Sequence, residues 1–331
     1  MVDTPVAGDA YGSASHDQGA GISRVPEGSC QELGSGVTRG LAGHLAMFCF
    51  SGLIAGSFAL GSMAADYIAP TALNAVRFVI AAAIVGAAAL ATHGLPRSAF
   101  VAPWRYLVLG SLMGIYFVLM FEGLKTAPPV SAAAVFTLTP LISGAAGYLL
   151  LRQITTRRMA LALSVGAAGA LWVIFRADMA ALLAFEVGRG EFIYFWGCVA
   201  HAIYTPLVRK LNRGEPPVVF SFGTLLAAAL ILLVAGAGDI AATDWTALPG
   251  IVWITLIYVA VFASAVTFVL LQFASLRLPS AKVMAYTYLT PSWVLLWQAA
   301  LGHDLPPLLV LAGVALTILA LLMLLKDEET L

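Results

Sequence analysis

Arg77 stands inside a long apolar run, "ALNAVRFVIAAAI". Charge at that depth in an apolar segment is expensive and faces either a partner or an aqueous path. Glu122 and Asp66 fall near the same end and are possible counter-ions, so a structural or gating Arg–Glu lock and a contact to a bound solute both stay open. His201 occupies a second such run, "WGCVAHAIYTP", with Trp196 and Tyr204 at near-helical spacing to it. It reads either as a packed histidine or as part of a polar and aromatic wall. Tyr116, Tyr288 and Trp293 extend the aromatic surface, and the last two sit too deep for interface anchors.

Two Leu-Thr-Pro triplets complete the set, at Thr139-Pro140 and Thr290-Pro291. A proline in a helix interior costs about 3 kcal/mol, because it removes one hydrogen bond and clashes with the preceding turn. Each frees the carbonyl four residues earlier, at Phe136 and Thr287, with Thr137, Thr139 and Thr290 close enough to help satisfy it. In lipid such breaks survive only where protein, hydroxyls or a wet cavity meets the freed group. The triplets therefore mark either packing kinks or the flanks of a central cavity.

None of this is covalent chemistry. HExxH, GxSxG, GxxxxGK[ST] and clustered His/Asp ligands are missing, so no enzyme activity, metal or cofactor is expected. Three cysteines, Cys30, Cys49 and Cys198, lack paired spacing. What remains is recognition of a small molecule.

The elements that must hold these residues follow from composition. Of 331 residues, 61% are hydrophobic and 10% charged, where a soluble domain carries roughly 25% charged. The chain could not bury that much apolar surface in its own core, so its solvent is the lipid bilayer, and zero net charge gives no case for a nucleic-acid partner. Residues 1–42 differ, being rich in Gly, Ser and acids, and read as a disordered cytosolic tail.

About 20 apolar residues span a membrane as a helix. That criterion places ten spans near 43–63, 71–92, 104–124, 129–151, 157–176, 190–208, 217–236, 249–272, 280–301 and 305–325. With both termini cytosolic, thirteen of the seventeen Lys and Arg residues fall on the cytosolic side. Lys282, at the start of the ninth span, is expected to reach outward to the headgroups. The pairs "GLIAG" at 52–56 and "GSLMG" at 110–114 read as close helix contacts.

A shift of 151 residues superposes "PPVSAAAVFTLTPLISGAAGYLLL" on "PSAKVMAYTYLTPSWVLLWQAALG". The first is the fourth span and the second the ninth, the fourth of a second set of five. Five is odd, so the second set inserts upside down. The expected fold is all-α and integral to the membrane, ten helices in two inverted five-helix repeats, 43–176 and 190–325, joined by a loop at 177–189.

"GLKTAPPVSAAAVFTLTPLISGAAGYLLLRQITTRRMALALSVGAAGALWVIF", the arginine in "ALNAVRFVIAAAI", and "GEFIYFWGCVAHAIYTPLVRKL" resemble an EamA-type carrier of the drug/metabolite transporter superfamily over residues 43–325. The resemblance implies a secondary transporter working by alternating access. Members move amino acids, aromatic compounds, vitamins such as riboflavin, nucleotide precursors and nucleotide sugars. Export or exchange of an amino acid or related amphipathic metabolite across a bacterial inner membrane is the expectation, with uptake of an aromatic vitamin the alternative and a channel or sensor the rival class. Gly223 stands where Arg77 would map in the second half, so the halves are not chemically equivalent.

Overall fold

Proline marks where several helices begin. Pro70, Pro129 and Pro217 open the second, fourth and seventh spans from the first turn, where the missing N–H would have had no partner anyway. Thr156 caps the fifth span by accepting from the Met159 amide at 3.1 Å, and Arg152 ends the fourth in the left-handed region at φ 54°. These local signals sit at the ends of runs that are apolar on every side, as helices buried in protein and lipid must be.

A computed structural model of the chain describes residues 27–154, 156–184, 187–304 and 306–326. Every regular element among them is helical. Eight are long and apolar enough to cross a membrane: Leu41–Ala64, Pro70–Thr92, Trp104–Leu124, Pro129–Leu151, Arg157–Ile174, Pro217–Ala235, Gly250–Ser275 and Leu308–Leu325. Two further segments, Arg189–Leu211 and residues 280–300, take the places of the sixth and ninth spans. The former carries Arg189, Glu191, Arg209 and Lys210 at its ends, and the latter is cut by a 3-10 turn, Tyr286–Leu289, into pieces too short to count as one helix.

Three boundaries differ from expectation. Residues 1–26 of the expected tail lie outside the described residues, but helix is already present at Glu27 and continues to Ala64. Once a span nucleates a helix, each further turn adds a bond without a new nucleus. The expected loop at 177–189 contains a short helix, Met179–Ala184, and its residues 185–186 lie outside the described residues. The last span opens at Leu308, after Pro306 and Pro307; Leu305 and residues 327–331 are outside the described residues.

The packing repeats with the sequence. The second span lies along the seventh, the fifth along the tenth, and the third along the sixth. The counterpart of that last pair, first against eighth, is tied by Thr255 donating to the Leu60 carbonyl at 3.1 Å and Tyr258 to that of Leu53 at 2.8 Å. In the ninth span, Ser280–Ala285 packs on Thr139–Leu151 and Thr290–Ala300 on Pro129–Phe136, so the fourth and ninth spans cross antiparallel. Gly169 and Gly313 bring the fifth and tenth together; a Cβ on either would meet the other's carbonyl oxygen at 2.6–2.7 Å. "GLIAG" and "GSLMG" each supply one such contact, Gly56 against Tyr258 and Gly110 with 2.7 Å to the Ala228 amide.

Candidate functional site

The two Thr-Pro breaks meet. The hydroxyls of Thr139 and Thr287 are 3.3 Å apart where the fourth and ninth spans cross. The halves mend their breaks differently. Thr139 donates to the Phe136 carbonyl at 2.7 Å, the group that Pro140 leaves without an amide. In the ninth span the 3-10 turn tightens the backbone until the Thr290 amide itself reaches the Thr287 carbonyl. Its hydroxyl is then superfluous, and Thr290 Oγ1 is buried without a partner. Thr137 donates to Ala134 O at 2.7 Å, so its role is local to the same turn.

Beside the crossing lies a buried ring cluster drawn from both halves. His201 packs 4.5 Å from the Tyr116 ring, 5.3 Å from Phe136 and 6.3 Å from Tyr204, centroid to centroid. Tyr116 and Tyr194 share a hydroxyl hydrogen bond at 3.1 Å. Tyr204 accepts from the Gln272 amide at 3.1 Å. His201 Nδ1 and Gln272 Oε1 are buried with no partner, which places unused hydrogen-bonding capacity inside an aromatic shell. A cleft of about 360 Å³ opens at the end of the bundle where the fourth span begins, among Pro128, Arg176, Gln298 and Asp304.

Arg77 reaches the same interface from the second span and is fully buried. Nε donates to the Ser264 hydroxyl at 2.6 Å, Nη2 to the Ala263 carbonyl at 2.7 Å and Nη1 to Asn74 Oδ1 at 3.3 Å. Ser264 and Ala263 belong to a π-helical turn, Val261–Val266, in the eighth span. The guanidinium lies 3.7 Å above the Phe117 ring.

Several expectations need correction. Glu122 pairs with Lys125 at 2.6 Å, one turn along its own helix, and is not the counter-ion of Arg77, so the expected lock between Arg77 and Glu122 does not form. Trp196 is 53% exposed, and its ring pairs are with Phe192 and Phe195 rather than with His201. Five residues of helix turn the chain about 140° away from full turns, so Trp196 cannot share the face of His201. Tyr288 is buried, but its hydroxyl donates to the Leu163 carbonyl at 3.4 Å and its ring fills the notch at Gly166 in the fifth span. Trp293 points to the first span, donating to Ser51 Oγ at 3.2 Å. Lys282 is buried and does not reach outward. Tyr116, His201 and Tyr204 are brought together, with Pro140 and Pro291 buried at the adjacent crossing.

Tyr194, Phe136 and Gln272 were missed. Tyr194 lies seven residues before His201, two turns along one face, and that spacing was the available signal. Gln272 offered only its polarity near the end of an apolar run.

The model of the EamA-like transporter family matches this chain twice, over residues 41–175 and 188–326. The chain belongs to the EamA-like transporter family. It is similar to the uncharacterized transporter YyaM of Bacillus subtilis strain 168, at 25% identity over 282 residues, 84% of this chain and 92% of YyaM. A protein of known crystal structure shares the fold, with a TM-score of 0.65 and 21% identity over 86% of this chain and 96% of its own. This EamA-like protein is therefore a multi-pass membrane transporter built from two repeats, and its family points away from an enzyme.

Proposed function

We propose that the protein is an alternating-access carrier that exports or exchanges a small amphipathic metabolite, an amino acid or a related compound, with its site at the crossing of the two halves. The observation that carries this reading is the antiparallel meeting of two broken helices, Thr139 to Thr287 at 3.3 Å, beside the His201–Tyr116 ring cluster. Broken spans are the segments in which inverted-repeat carriers form their sites. An inverted pair also lets one access state become the other when the halves exchange conformations. The cluster's rings suit a flat apolar moiety, and His201 Nδ1 and Gln272 Oε1 offer it polar contacts. Both termini are assigned to the cytosol of a bacterial inner membrane, on the Lys and Arg bias of the loops.

The test is counterflow in proteoliposomes loaded with an amino-acid and aromatic-metabolite mixture. Saturable uptake of labelled solute, accelerated by unlabelled solute inside, is expected. Ohmic currents without counterflow would favour a channel.

A further inference from the structure

We propose that Arg77 binds the transported solute by a carboxylate group. This rests on the carrier reading above and adds the charge of the substrate to it.

A buried arginine keeps its charge, and the groups around it must answer that charge. Arg105, the other fully buried arginine among the described residues, brings an acid with it: its Nη2 bonds to Glu215 at 2.7 Å. Arg77 has none. Its three acceptors are a serine hydroxyl, a backbone carbonyl and an asparagine oxygen. Asn74 is itself oriented by donating to the carbonyls of Pro70 at 2.8 Å and Phe117 at 3.3 Å, which turns its oxygen to the guanidinium. Neutral dipoles thus stand where a counter-ion belongs. Three of the five guanidinium N–H donors are engaged, which leaves two.

The surroundings say what kind of anion fits. A guanidinium presents its donors as a planar fork matched to a carboxylate. Arg77 supplies one positive charge in a planar donor fork, which matches a carboxylate monoanion. The Phe117 ring under Arg77 stacks with Phe268 at 6.3 Å, and Phe268 meets Tyr204 at 6.3 Å beside His201. An apolar body can therefore lie along the rings while its carboxylate faces Arg77. The π-turn at Ser264 is the wall that must give way, and π-turns recur at functional sites. In the packed conformation the turn carrying Ser264 and Ala263 covers the guanidinium, and its displacement exposes the two unengaged N–H donors to a carboxylate.

The experiment uses the purified full chain and a matched pair of probes, 3-phenylpropanoate and its neutral amide, read by thermal shift at constant ionic strength. The wild type should be stabilised by the acid in a saturable manner and at least ten-fold less sensitively by the amide. Arg77→Gln should abolish that preference, and Arg77→Lys should weaken it while keeping its sign. Equal response to acid and amide in the wild type, no response to the acid, or an undiminished preference in Arg77→Gln would each overturn the proposal. The wild-type pair decides the matter even if Arg77→Gln does not fold. Counterflow of neutral solutes with no acid preference removes the anion site and leaves the carrier. Stabilisation by the acid without any counterflow does the reverse.

Discussion

Two fully buried arginines sit at different levels of the bundle and are handled in different ways. At the start of the third span, Arg105 donates to the carbonyls of Leu211 at 2.7 Å and Val101 at 3.1 Å, and to Glu215 at 2.7 Å. Seven residues into the second span, about 10 Å from its start, Arg77 also bonds to a carbonyl and lies over an aromatic ring, but it meets no acid among the described residues. The first arrangement is complete in itself and ties the third span to the loop between the sixth and seventh. The second carries a charge answered by dipoles alone, in the region where His201, Gln272 and Thr290 also hold unpartnered polar atoms. Groups that only hold a fold together are satisfied where they stand. On the reading proposed above, the unpartnered atoms in this region serve a bound solute.

The largest expected effect breaks the complete member. Glu215→Gln should cost about 3 kcal/mol, because removing one partner leaves Arg105 charged and buried without its acid. Melting of the purified protein measures this. Arg77→Gln removes a buried charge that has no acid along with its hydrogen bonds, so its loss of stability should fall below that of Glu215→Gln, while counterflow drops at least ten-fold. A stability loss equal to that of Glu215→Gln would make Arg77 a second structural arginine and erase the contrast.

The third prediction concerns pH. Partial burial raises the Glu215 carboxyl, but hydrogen bonds from Arg105 and from the Arg213 amide outweigh it and hold the group below its ordinary value of 4.5. A depressed carboxylate contributes stability above the unfolded value and loses it as pH falls through the folded one. The wild type should therefore lose melting temperature faster than Glu215→Gln below about pH 4.5. Parallel curves would remove the ion pair from the account.

The smallest effect repeats the contrast with hydroxyls. Thr139→Val should cost about 1 kcal/mol, through loss of the bond to Phe136 O. Thr290→Val should change stability by less than about 0.5 kcal/mol, since its hydroxyl has no partner to lose. Equal costs would show that the two breaks are mended alike.

The repeat was legible because proline is rare inside an apolar helix and the two Leu-Thr-Pro triplets hold the same rank in their halves. The hydroxyl repair by Thr139 followed from the same chemistry. The equivalent role expected of Thr290 did not hold, because a 3-10 turn supplied the backbone bond first. Trp196 was misplaced for want of helical phase, and Glu122 because a lysine three residues away is nearer than an arginine on another helix.

Composition, the spacing of apolar runs and the triplets by themselves determined an all-helical membrane protein with two inverted halves. These are properties of consecutive residues, and lipid imposes the same answer wherever the helices lie. The surroundings of Arg77 were decided only in the tertiary structure. Its bonds to Ser264 and Ala263 cross 187 and 186 positions of chain. They depend on how the second and eighth spans are rotated against each other and on a π-turn that widens one of them. No local pattern encodes that rotation, because it is set by which side chains pack best between helices.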